Sequence, residues 1–227
     1  MKTLALPLLV VSVAHADQLI QSNQVVRFKN QTITQPIINQ GTLILSNCTL
    51  TEEPTDEYVI YNLGSLVMRD TLVSRSGGNY NVGTIWNEGH ISAINCRFIN
   101  NKAFAAGVLL NESVGSAVFS RCHFIGNNVS HTSGAIMNLG KLSINESFFF
   151  DNGCGDGVAG TILNYNYMFL GRSEVKANFG GSWGSEVGTG GVYTAPRAQS
   201  WFFQSKIENN VSWIRLNRNT NTPNIYP

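Results

Sequence analysis

Residues 85–101 read IWNEGHISAINCRFINN, a stretch whose apolar steps suit neither a helix nor one uninterrupted strand. Taking Gly89 as step zero, Ile91 lies two residues on, Cys96 seven on and Phe98 nine on. The same ruler fits elsewhere in the chain. From Gly41 it meets Leu43, Leu45, Cys48 and Leu50, and from Gly64 it meets Leu66, Met68, Thr71 and Val73. Gly115 leads to Ala117, Phe119, Cys122 and Phe124, and Gly140 leads to Leu142, Ile144, Ser147 and Phe149. At the sixth place Asn166, which like glycine tolerates left-handed backbone, leads to Met168, Leu170, Ser173 and Val175.

An apolar-x-Asn triplet precedes each anchor: Ile37 to Asn39, Ile60 to Asn62, Ile85 to Asn87, Leu109 to Asn111, Ile136 to Asn138 and Ile162 to Asn164. The anchors are 23, 25, 26, 25 and 26 residues apart, and a seventh, degraded unit runs from Val192 to Ile207 with Thr194 in place of the asparagine. Each unit holds three short apolar strands broken by Asn, Gly and Ser, too little to bury a face alone. If the units are turns of one coil, each strand pairs in parallel with its equivalents above and below, and columns of like side chains fill the interior. At about 4.8 Å per rung, seven turns make a rod of roughly 35 Å. A sandwich would need hairpins, yet Asn-Gly and Asp-Gly occur only at 152–153 and 156–157. The expected fold is all-β: a single-domain parallel β-helix of about seven coils, three short strands per coil, over residues 37–212. The apolar residues at steps two, four and nine are assigned to the core. The asparagine column is assigned to a corner and to a ladder of amides between rungs, since a buried amide must find partners.

Composition agrees with this reading. Twenty-two glycines and only 13% charged residues are unlike a helix-rich enzyme. Residues 1–16, MKTLALPLLVVSVAHA, combine one lysine, an apolar run from Leu4 to Val13 and small residues at Ala14 and Ala16. They read as a cleaved secretory signal, too short in its apolar part to span a bilayer. Residues 17–36 are expected to form an N-terminal cap segment and 213–227 a polar C-terminal tail. Without Lys2 the chain has 14 basic and 14 acidic residues, so no electrostatic feature points to nucleic acid or an anionic membrane. The mature chain is expected to be secreted, extracellular or at the cell surface, with no integral membrane segment after cleavage. Six Asn-x-Ser/Thr sequons stand at Asn30, Asn47, Asn111, Asn128, Asn145 and Asn210. Asn30, Asn128 and Asn210, on predicted loops or ends, are the better glycan acceptors, whereas Asn111 belongs to the ladder.

Phe98-Ile-Asn-Asn101, Phe124-Ile-Gly-Asn127 and Phe149-Phe-Asp-Asn152 follow a Phe-x-x-Asn pattern, and Gly134-Ala-Ile and Gly190-Gly-Val-Tyr193 a Gly-Gly-Ala-Ile-like one. Over about residues 37–210 the chain resembles the repeats of the chlamydial polymorphic membrane proteins and, more widely, right-handed β-helix proteins of the pectin-lyase-like group. The resemblance implies a right-handed coil and a surface or adhesive role. It departs at the end, where RLNRNTNTPNIYP stands in place of that family's C-terminal barrel.

β-Helices also carry polysaccharide lyases, hydrolases and esterases, so a carbohydrate-active enzyme is the competing expectation. Such chemistry needs paired carboxylates, or a base beside a cation, facing one bond. Glu52, Glu53, Asp56 and Glu57 cluster in one loop and read as a solvated turn. RDTL at 69–72, HFIG at 123–126 and LGRS at 170–173 fall in the order of pectin methylesterase motifs, but His123 replaces that family's catalytic Asp, and Asp70 and Arg172 fit the repeat register. His90, His123 and His131 lack metal-ligand spacing, and Asp151 and Asp156 of DNGCGDG belong to no repeated calcium array. GGSWGSEVGTGG, 180–191, reads as a long turn. No cofactor and no metal are expected. The discriminating feature is two or more outward carboxylates with Arg, Lys or a metal in one cleft, and none is expected.

Cys96 and Cys122 occupy one step on successive rungs, about 4.8 Å apart, within a disulfide's Cα range, and an exported chain permits the bond. This pair is the expected disulfide, leaving Cys154 unpaired; Cys48 is roughly 10 Å from Cys96, too far to bridge. The column also reads Cys, Thr, Cys, Cys, Ser, Ser, so any small side chain satisfies it. The residues just before the ladder asparagines, Ile38, Tyr61, Trp86, Leu110, Met137, Leu163 and Tyr193, are either an outward apolar stripe or core. If outward, Tyr61, Trp86 and Tyr193 are the expected contacts for a protein or polysaccharide partner. The column after the anchors, Thr42, Ser65, His90, Ser116, Lys141 and Tyr167, is too irregular for an ice-binding ladder.

Overall fold

The structure is a computed structural model that describes residues 18–51, 58–74, 84–155, 157–181, 189–214 and 224–226. The leader 1–16, the acidic loop 52–57, Asp156, most of the 180–191 turn and most of the C-terminal tail lie outside these residues.

The described chain contains no helix and winds as a parallel β-solenoid. Three sheets of eight strands each run its length, and each strand's neighbours are its equivalents in adjoining rungs. The ruler read from the sequence is the pairing register. Ile85 pairs with Ile60 on one side and Leu109 on the other, Ile91 with Leu66 and Ala117, and Phe98 with Val73 and Phe124. Leu43, Leu66, Ile91 and Leu142 all sit in one interior column and are fully buried or nearly so. The step-nine rings stack along the axis, with centroids 4.9 Å apart between Phe98 and Phe124 and 4.4 Å between Phe124 and Phe149. Phe119 meets both Phe98 and Phe124 edge-on.

Two counts differ from the expectation. Eight rungs stack rather than seven, because residues 18–33, inside the segment expected as a cap, supply strands Gln18–Ile20, Val25–Lys29 and Thr32–Ile33. A fourth, six-stranded sheet adds two-residue strands such as Lys102–Ala103 and Asn128–Val129 from the fourth rung on. It ends with Asn224–Tyr226 antiparallel to Val211–Ile214, the single antiparallel pair among the described residues.

The anchor glycines serve close approach, not left-handed geometry. Neither these glycines nor Asn166 has a positive φ. A Cβ on Gly89 would run into the carbonyl oxygen of Gly64, and one on Gly64 into that of Gly41. One column of left-handed positions lies six steps later, at Asn47, Asp70, Asn95, Arg121, Glu146 and Arg172, with φ between 45° and 55°. Arg and Glu rarely adopt this geometry. Here the small residue that follows spans the corner: Thr71 Oγ1 donates to Arg69 O, Ser147 Oγ to Asn145 O and Ser173 Oγ to Gly171 O. The Cys96 and Cys122 thiols donate in the same way to Ile94 O and Ser120 O.

The expected amide ladder is present. Asn39, Asn62, Asn87, Asn111, Asn138 and Asn164 are fully buried, and each of the first five Nδ2 groups donates to the next Oδ1 at 2.7 Å. A second ladder joins Asn101, Asn127, Asn152, Asn178 and Asn210 at 2.8–2.9 Å. In it each Oδ1 also accepts the backbone N–H of the preceding asparagine, as Asn127 does from Asn101 at 3.1 Å.

Candidate functional site

The first sheet settles the direction of the apolar stripe. Five of its strands, from Ile37–Asn39 to Ile136–Asn138, alternate as Ile85 buried, Trp86 half-buried and Asn87 buried do, so the middle residue points away from the core. Ile38, Tyr61, Trp86, Leu110, Met137 and Tyr193 are all half-buried in this outward column, whereas Leu163 is fully covered. The outward face is therefore apolar but interrupted at Leu163.

Its aromatic centre lies on the second and third strands of the expected coil. The Tyr61 and Trp86 rings are 5.0 Å apart, and Tyr58 extends the cluster with its ring 5.5 Å from Tyr61. Tyr61 Oη donates to Glu88 Oε1 at 2.8 Å. Burial, and then the Glu88 carboxylate that accepts its proton, pushes the Tyr61 phenol up to about 12. Trp86 Nε1 is buried and has no acceptor among the described residues, a polar group left unmet in the middle of the cluster. Such a site offers flat π-faces beside one carboxylate, the combination that stacks on a sugar ring or anchors a side chain. Tyr193 shares the column but lies four rungs from Trp86, roughly 19 Å away, next to Leu163. Tyr58 and Glu88 were not expected from sequence: one precedes its strand and the other sits in the anchor turn.

Carboxylates and cations do meet on the outer face of the third sheet. Lys176 Nζ is 3.8 Å from Glu174 and 3.5 Å from Glu208, and Lys206 Nζ is 3.7 Å from Glu208. These four side chains are partly to largely exposed and paired with one another, so each carboxylate is already occupied by a cation. Glu146 likewise lies between Arg121 and Arg172. Asp70 and Arg172 of the esterase-like fragments are four rungs, roughly 19 Å, apart, and cannot share a bond. His90 and His123 are exposed, while His131 is half-buried and stacks on Phe104 at 4.2 Å. Among the described residues no three His, Cys, Asp or Glu side chains come together as a metal site.

All four cysteines are buried and none is joined in a disulfide, so the expected Cys96–Cys122 bridge is not formed. Cys96 and Cys122 lie at one step of adjoining rungs, and the neighbouring Cys122 side chain, together with burial, pushes the Cys96 thiol up. Of the three expected glycan acceptors, Asn30 is exposed and its Oδ1 accepts from Asn47. Asn128 and Asn210 donate through Nδ2, the atom a glycan would occupy, to Gly126 O and Val175 O.

The fold defines the class: a parallel β-solenoid with aromatic residues on one outer face. Compared with known proteins, the chain matches no family model, no curated protein and no solved structure.

Proposed function

We propose that the protein is a secreted or surface-associated, non-enzymatic β-helix that acts by contact, its first sheet holding a protein or polysaccharide partner at Tyr58, Tyr61 and Trp86. The reading rests on one observation: the outward cluster of Tyr58, Tyr61 and Trp86 rings on the first sheet. The Phe-x-x-Asn and Gly-Gly-Ala-Ile-like repeats, which resemble those of surface-exposed β-helices, support an adhesin-like, wall or matrix role. The test is binding to a panel of immobilised pectin, polygalacturonate, alginate and extracellular matrix proteins, comparing the wild type with Trp86→Ala and Tyr61→Ala. Retention by at least one surface, lost in Trp86→Ala while Tyr193→Ala retains it, supports the reading; retention indifferent to Trp86 and Tyr61 overturns it.

The second reading, a carbohydrate-active enzyme of the pectin-lyase-like group, draws on the Glu174, Glu208, Lys176 and Lys206 group. Incubation with the same polysaccharides, followed by assays for reducing ends, unsaturated products and methanol, separates the two. Turnover lost in Glu174→Gln or Glu208→Gln would replace the binding reading.

A further inference from the structure

We propose that the two terminal rungs are complementary ends through which copies of this chain stack head to tail. The last rung, Val192–Thr194, Gln199–Phe203 and Lys206–Glu208, closes each of the three main sheets in the described residues, so each of its strands has a neighbour on one side alone. Phe202 continues the interior column of Leu45, Met68, Ala93, Phe119, Ile144 and Leu170, all fully buried, yet it is 48% exposed. Ile207 continues the step-nine column and is 45% exposed. At the other end, the inward Val26 and Phe28 of the first rung are only partly buried. Among the described residues both ends therefore present core columns that stop without a covering rung, beside strand edges with no neighbour.

The occupant that fits is a second copy. The first rung offers strands of three, five and two residues, in the same order and direction as the three-, five- and three-residue strands of the last rung. One further step of the register used throughout would set Phe28 over Phe202, Val26 over Ser200, Ile33 over Ile207 and Leu19 over Tyr193. The Phe28 and Phe202 pair would repeat the contact made by Phe124 and Phe149. On the outer face the same step brings Arg27 over Trp201 and Lys29 over Phe203, cations over rings that are 43% and 51% exposed. Basic residues on an edge ordinarily discourage pairing, but here the facing edge is aromatic. The fourth sheet fits as well. Asn224–Tyr226 occupies the place beyond the last rung in that sheet, and the described residues of the first three rungs supply no strand to it. Because the two surfaces differ, the contact is heterologous and the product is an open linear stack.

The experiment is sedimentation velocity of the purified full chain over a range of concentrations, with Phe202→Lys blocking one end and Phe28→Lys the other. Circular dichroism and thermal unfolding check that each variant folds, and Trp201→Glu repeats the first block without touching the interior. The expected result is association that rises with concentration in the wild type, and monomers for each variant alone. An equimolar mixture of Phe202→Lys and Phe28→Lys, with one working end each, gives a discrete dimer and nothing longer. A wild type that stays monomeric overturns the proposal, including one that associates only after deletion of residues 215–227, which would show the chain's own tail covering the end. Association unchanged in both end variants, or lost instead in Trp86→Ala, overturns it in favour of side-by-side contact.

Discussion

Single residues carry the stacking through contacts that allow no substitution. Gly89 has an ordinary negative-side φ, so alanine would meet no torsional objection there; the objection is the Gly64 carbonyl, a backbone atom fixed by its own hydrogen bonds. Gly89→Ala is expected to cost about 1–3 kcal/mol of stability, the range for overpacking a site that cannot relax, read from denaturant unfolding. A cost near zero would mean the rungs separate more easily than the glycine column implies. Tyr61 gives a residue-scale signature of the binding face. Its folded-state phenol is raised from 10.0 to about 12, so between those pH values the folded chain holds the proton that the unfolded chain releases. The stabilisation is complete below pH 10 and is lost as pH rises towards 12. Tyr61→Phe is expected to remove that part of the slope of unfolding free energy against pH, and equal slopes in the two proteins would place the ring outside the cluster.

At the level of elements, the two amide ladders fix register where apolar columns alone would tolerate slippage. Asn87 accepts from Asn62 and donates to Asn111, each at 2.7 Å in full burial. Asn87→Ala leaves one donor and one acceptor unmet, at about 1–3 kcal/mol apiece, and is expected to lower the unfolding midpoint well beyond what an exposed alanine such as Ser113→Ala does. A variant as stable as the wild type would show that water satisfies the gap. The first ladder was legible because its asparagines recur at one step beside an apolar residue. The second was written just as openly, in Asn101, Asn127, Asn152, Asn178 and Asn210, twelve steps from the anchor register, but it appeared there as a Phe-x-x-Asn motif and not as a hydrogen-bonded column. The fourth sheet was not legible at all. Lys102–Ala103, Asn128–Val129, Gly153–Cys154 and Phe179–Gly180 share no side-chain character, and they are held in line by the ladder before them and by their own backbone pairing. The binding face shows the same limit: the repeat found Tyr61 and Trp86 as column members, but membership of a column is not proximity, which is why Tyr193 is distant and Tyr58 is close.

Across the whole molecule, each rung contacts only its neighbours, so local stability follows the quality of the local core and not a shared centre. The middle rungs bury Phe98, Phe119, Phe124 and Phe149 completely in stacked and edge-on pairs. The last rung substitutes Ser200 and half-exposed Phe202 and Ile207 at the equivalent interior positions, and Thr194 ends the first ladder by bonding Ser200. Hydrogen exchange followed by mass spectrometry is therefore expected to protect His123–Ile125 and Phe148–Phe150 most and Gln199–Phe203 and Lys206–Glu208 least, in dilute solution where the chain is monomeric. Unfolding should begin at that rung and move towards the phenylalanine stack, because removing a terminal rung breaks one interface and removing a central one breaks two. If stacking covers the end, protection of residues 199–208 rises with protein concentration while that of 123–150 does not. Uniform protection from the first rung to the last would instead mean that the rod unfolds as one cooperative unit, with its weakest interface tied to its strongest.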